Sequence, residues 1–231
     1  MQKIKNALRY FNKLELSLWL GSIFVILVAF CMFDRVNYLS LIASVIGVTS
    51  LIYNAKGNPF GQLLMVVFSL LYGVISFMFT YYGEVITYVG MTMPMALFAF
   101  IAWMKNPFKG KKTEVAIRKV TKQEVGIMCL LTVVVTIIFY FILRYFHTAY
   151  LLLSTLSVTT SFIAVYLTNK RSAYFAVAYA CNDVVLIILW TLATCQNLQY
   201  ISVVVCFVAF LINDIYGYVN WCKMEKRQKQ S

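Results

Sequence analysis

Acidic side chains are scarce in this chain of 231 residues: eight Asp and Glu stand against 20 Lys and Arg, and all charged residues together make up only 12%. So small a charged complement excludes a solvated surface over most of the molecule. One histidine, His147, leaves no imidazole pair for a metal or a proton relay. Three prolines and ten glycines are too few for a disordered or linker-rich chain. The six cysteines (Cys31, Cys129, Cys181, Cys195, Cys206, Cys222) lie in or at the ends of apolar runs and form no Cys-x-x-Cys pair. That spacing excludes a disulfide framework and a zinc site, and no cofactor is implied. A phosphate-binding glycine loop is also missing, which removes support for an ATP-driven pump.

What fills the chain is apolar: 62% of residues are hydrophobic and the mean hydropathy is +0.80. About 20 continuous apolar residues span the bilayer core. Eight such stretches are present, at roughly 15–33, 36–53, 59–82, 85–104, 125–146, 148–168, 172–195 and 199–222. The expected fold is therefore all-α, because backbone groups in hydrocarbon have no other partners. The first stretch is long and lacks a small-residue cleavage site, so it reads as a retained span rather than a signal peptide.

A net charge of +12 would suggest nucleic acid in a soluble protein. Its distribution argues otherwise. With the N-terminus inside, the segments 1–14, 54–58, 105–124, 169–171 and 223–231 are cytoplasmic and hold 18 of the 20 Lys and Arg. Only Arg35 and Arg144 fall elsewhere. This bias places a multi-pass protein in the cell inner or plasma membrane with both termini cytoplasmic. The lipid bilayer is then the partner of the basic residues, and nucleic acid is not. A homo-oligomer is compatible with such a protein.

Two halves carry the same three-span pattern. Residues 36–105 end in Ile101-Ala-Trp103-Met-Lys105, and residues 148–223 end in Val219-Asn-Trp221-Cys-Lys223. Each half has a short basic break after its first run, at Tyr53-Asn-Ala-Lys56-Gly57 and Leu167-Thr-Asn-Lys170-Arg171. Three spans reverse the sidedness of a chain, so a parallel second copy needs one more crossing. The run within 106–147 supplies it, after a loop with seven basic residues. Residues 1–35 then hold a basic segment and an extra, peripheral helix, and 224–231 form a tail. Lys3 to Lys13, alternating basic and apolar, is expected along the inner leaflet. Parallel three-helix repeats with a linker helix are an architecture of small-solute carriers. Pro59 opens the third span harmlessly. Pro94 falls mid-span, where it kinks the fourth helix or frees a carbonyl.

Ionisable groups within a membrane cost a few kcal/mol on insertion scales and read as functional by default. Asn182-Asp183 falls near the middle of the seventh span and Asn213-Asp214 near the middle of the eighth. Tyr179, Asn182, Asp183, Leu186 and Trp190 share one helical face. Asn213, Tyr216, Gly217 and Asn220 are the corresponding stripe on the eighth span. Flat rings beside amides and carboxylates suit a planar heterocycle bearing a sugar or a positive charge. The candidate substrate-binding residues are Asn182, Asp183, Trp190, Asn213, Asp214, Tyr216 and Tyr179, with Gln62 and Tyr88 from the first half. Trp103 and Trp221, at the ends of their repeats, read as interfacial anchors.

Two aspartates on adjacent spans also raise an intramembrane aspartyl protease. Its Gly-x-Gly-Asp, Tyr-Asp and Pro-Ala-Leu motifs are absent, and no enzyme is expected. A non-transporting receptor or scaffold would need a sizeable domain on one side of the membrane, and none is evident. Ion coupling stays open, since an intramembrane Asp can carry a proton.

The repeat, the linker span and the closing Tyr216-Gly-Tyr-Val-Asn-Trp221 together resemble the PnuC family of vitamin transporters, full-length relatives of the SWEET sugar carriers. The resemblance covers about residues 36–223, with Gly217 and Trp221 matching a closing Gly-x-x-x-Trp and Asn182 an asparagine inside the penultimate span. It implies facilitated diffusion of nicotinamide riboside, with a cytoplasmic kinase trapping the product. Thiamine, riboflavin or deoxynucleosides are the alternatives. Phe175 and Ala178 stand where nicotinamide riboside members carry a Trp-x-x-Trp.

Overall fold

The computed structural model describes residues 10–78 and 82–230. Among them, eight helices are long and apolar enough to cross a bilayer: α1 (Lys13–Phe33), α2 (Tyr38–Ala55), α3 (Pro59–Met78), α4 (Gly83–Lys105), α5 (Lys122–Tyr145), α6 (Leu151–Asn169), α7 (Phe175–Thr194) and α8 (Ile201–Gln230). The stretch expected along the leaflet, Lys3 to Lys13, lies outside the described residues up to position 9.

Local sequence sets the helix starts. Asn12 caps α1 by accepting from Glu15 N (2.7 Å), and Glu15 Oε2 accepts in return from Asn12 N (2.8 Å). Thr121 and Glu124 form the same capping box at the start of α5. Pro94 removes one backbone donor from α4. The helix absorbs the loss as a π-helical stretch over Ile86–Thr92, after which Met93 N reaches Tyr88 O five residues back.

Six helices close a ring in the order α2, α3, α4, α6, α7, α8 and back to α2. Outside it, α1 packs on α2 and α8, and α5 packs on α6. Close approach of α2 and α3 depends on Gly61, where a Cβ would come within 2.7 Å of Asn54 N. The two basic breaks take the same shape. Gly57 (φ 65°) and Arg171 (φ 58°) both adopt the left-handed conformation. One residue later, Asn58 and Ser172 each accept, through a side-chain oxygen, from the backbone N–H two residues on.

Trp103 and Trp221 tie these turns together crosswise. Trp103 Nε1 donates to Thr168 O (2.9 Å), and Trp221 Nε1 donates to Asn54 O (2.8 Å). Both side chains are 0% exposed, with ring centroids 5.3 Å apart, and Phe175 packs edge-on against Trp221 at 4.8 Å. They are therefore a buried plug at the basic end of the ring, not the interfacial anchors that their positions at span ends suggest. Trp221→Phe keeps most of the ring volume and loses the indole donor. It is expected to lower stability by about 1–2 kcal/mol, read as a fall of several degrees in melting temperature in detergent. An unchanged melting temperature would deny the plug this role.

The basic loop after α4 is folded rather than merely connecting. β1 (Pro107–Phe108) pairs with β2 (Lys111–Val115) through Lys109 and Gly110, both at positive φ, the geometry of a tight two-residue hairpin. Val115 is fully buried against the tryptophan plug, and its N–H donates to Gly57 O (2.9 Å). The last helix does not end at 222 but runs to Gln230. Gln228 there donates to Val115 O (3.0 Å) and accepts from Ile117 N (2.8 Å).

Candidate functional site

The ring encloses a cavity near its middle to which α2, α3, α4, α6, α7 and α8 all contribute. The 3.6-residue period of α7 turns Tyr179, Asn182, Asp183, Leu186 and Trp190 to this space together. Asn182 Oδ1 accepts from Ser157 Oγ (3.0 Å) and Thr160 Oγ1 (2.9 Å) on α6. Both of its lone pairs are used, so the amide nitrogen is left to donate to a guest. Asp183 is 3% exposed, and its Oδ2 has no hydrogen-bond partner among the described residues. Asp214 of α8 stands beside it. Phe68, Tyr88, Phe207 and Phe210 supply ring surfaces. Tyr88 belongs to the π-helical stretch of α4, so the accommodation of Pro94 shapes one wall.

Six of the nine expected site residues thus meet in one cavity: Tyr88, Tyr179, Asn182, Asp183, Trp190 and Asp214. The other three are engaged elsewhere. Gln62 Nε2 donates to Asn54 Oδ1 (2.8 Å) between α2 and α3. Asn213 Nδ2 donates to Ser22 Oγ (2.9 Å) on α1. Tyr216 OH donates to Glu15 Oε1 (3.0 Å), and the same carboxylate pairs with Lys56 at 2.8 Å. Asn213 and Tyr216 of the stripe expected on α8 thus fasten α1, and Asn220 donates to Ala55 O at the end of α2 (2.8 Å), while Phe207, Phe210 and Asp214 face the cavity.

Three groups escaped the sequence reading. Ser157 and Thr160 are three residues apart on α6, ordinary in a membrane helix until Asn182 is seen against them. Glu84 falls between the third and fourth expected spans, one residue before the start of the fourth, and so outside both. It lines the midplane cavity and two others that adjoin it on the side away from the basic end. Trp190 lines the same three, with Tyr200 against it at 5.3 Å. Among the described residues no group of three metal-ligating side chains converges.

A bundle whose helices ring a polar, aromatic-walled cavity at mid-depth is a membrane protein shaped to hold a small solute inside the bilayer. Residues 37–223 match the nicotinamide mononucleotide transporter family, and the chain belongs to it. It is 25% identical over 222 residues to the nicotinamide riboside transporter PnuC of Neisseria mucosa, covering 94% of this chain and 83% of that one. The crystal structure of the vitamin B3 transporter PnuC has the same fold, with a TM-score of 0.79 at 24% identity over 94% of each chain.

Proposed function

We propose that this protein takes up nicotinamide riboside by facilitated diffusion. The observation that carries the reading is the Asn182 amide set beside two carboxylates and a wall of rings, in a member of this family. The amide donates to ribose hydroxyls, the rings stack on the pyridinium, and Asp183 and Asp214 balance its charge. The basic face is cytoplasmic, by the positive-inside rule, and both termini lie on it.

Transport follows as two three-helix bundles, 36–105 and 148–223, rocking about the midplane site. Trp103, Trp221 and Phe175 close the cytoplasmic side while the cavities past Trp190 face outward. Parting the crosswise indole bonds opens the inner side, and a cytoplasmic kinase retains the product as its phosphate. Thiamine, another cationic heterocycle whose charge Asp183 and Asp214 would balance, is the second reading. Labelled nicotinamide riboside in proteoliposomes tests both. Saturable, ATP-independent uptake is expected, competed by unlabelled riboside more strongly than by thiamine or deoxynucleosides. Uptake no faster than in empty vesicles would end this reading, and stronger competition by thiamine would select the second.

A further inference from the structure

The chain carries 20 Lys and Arg against eight Asp and Glu, yet half of the acidic residues border its connected cavities. Asp183 and Asp214 lie at mid-depth, Glu84 lies where three cavities meet, and Asp34 shares one of these with Glu84. Among the described residues no lysine or arginine lines these spaces, and His147 is the one basic side chain there. Apart from Arg35 and Arg144, the basic residues are gathered at the other end, where Arg118, Lys119, Lys226 and Lys229 line a separate groove. A path walled by one sign of charge concentrates ions of the opposite sign.

Two details separate this from acids retained for packing. Asp183 Oδ2, buried and unpartnered among the described residues, faces the inner end of the path and calls for a donor or a cation there. Glu84 is half-buried and receives one bond from Ser76 Oγ (3.2 Å), with no salt-bridge partner among the described residues. It stands at the same junction as Trp190 and Tyr200, whose rings meet at 57°. An aromatic corner with an adjacent carboxylate is a site for a cationic ring.

We propose that the path from the non-basic face selects positively charged aromatic solutes, and that Glu84 sets this selectivity by holding the cationic ring beside Trp190 on its way to Asp183. Selection thus occurs at an outer station before the solute reaches Asn182. The proposal rests on the transport reading above and adds to it a charge class and a residue.

The test compares nicotinamide riboside with its 1,4-dihydro form, which has the same sugar and a similar outline but no charge. Wild type is expected to favour the cation in kcat/KM. Glu84→Gln should lower the cation-to-neutral ratio about tenfold, and Glu84→Asp should retain most of it. A ratio unchanged in Glu84→Gln, with wild type active, overturns the outer station and leaves the transport reading standing. Wild type inactive on both compounds ends the two together. Should Glu84→Gln fail to fold, wild type decides alone: raising salt from about 20 to 300 mM must raise KM for the cation more than for the neutral form, because exposed charge attraction is screened. An equal response of the two overturns the proposal.

Discussion

Replacing Asn182 with leucine is expected to raise the KM for nicotinamide riboside by about 10- to 100-fold, the effect of losing polar contacts worth about 1.5–3 kcal/mol in a water-poor site. The fold should survive, for reasons visible at the residue. Leucine has the same branched four-atom outline as asparagine and is the larger of the two, so no cavity opens. Of the two hydroxyls that lose their acceptor, Thr160 already has others, its Oγ1 lying 3.0 Å from both Leu156 O and Ser157 O, and Ser157 is free to turn to a carbonyl of its own helix. Within a helix such back-bonding satisfies a hydroxyl at little cost. What cannot be replaced is the amide donor facing the cavity, since among the described residues no other amide side chain lines it. Uptake kinetics together with the melting temperature in detergent check this. Normal uptake by a well-folded Asn182→Leu protein would remove Asn182 from the site.

The eight spans were legible because a membrane helix advertises itself through length and apolarity alone, and most expected boundaries fall within about three residues of the helices found. The face of α7 was legible for a related reason. Five residues at three- and four-residue spacing leave one orientation that gathers the polar groups. On α8 the same logic failed. Asn213 and Asp214 are adjacent and about 100° apart on the helix, and unlike Asn182 and Asp183 only one of them faces the cavity. Which one does depends on α1, whose Ser22 and Glu15 engage Asn213 and Tyr216. Nothing in the periodicity of α8 records that partner. Trp103 and Trp221 were misread because a tryptophan at a span end is most often a belt residue. Their burial comes from facing each other across the ring, a property of two helices far apart in sequence. The long end of α8 was missed for a similar reason, since its charged residues look like a solvated tail until Gln228 is seen against the strand at Val115.

If nicotinamide riboside crosses as a cation with no accompanying ion, its accumulation must follow the membrane potential. At −100 mV inside, one charge is worth about 2.3 kcal/mol, so the inside-to-outside ratio is expected to settle near 50-fold in vesicles without a kinase. Asp183, Asp214 and Glu84 do not alter that limit. They change half-saturation and rate, but the protein returns to its starting state each cycle, and only the net charge carried sets the equilibrium. The same acids allow a different outcome. If the paired carboxyls bind a proton whenever the riboside leaves, and return it outward, each turnover moves no net charge. Accumulation would then ignore a potassium-diffusion potential and respond to a pH gradient instead. Proteoliposomes with valinomycin separate the two cases, and the uncharged dihydro form is the control that should stay near unity at every potential. A flat response of the cation would replace uniport with proton exchange, and would make Asp183 and Asp214 the carriers of the exchanged proton as well as the counter-charge of the ring.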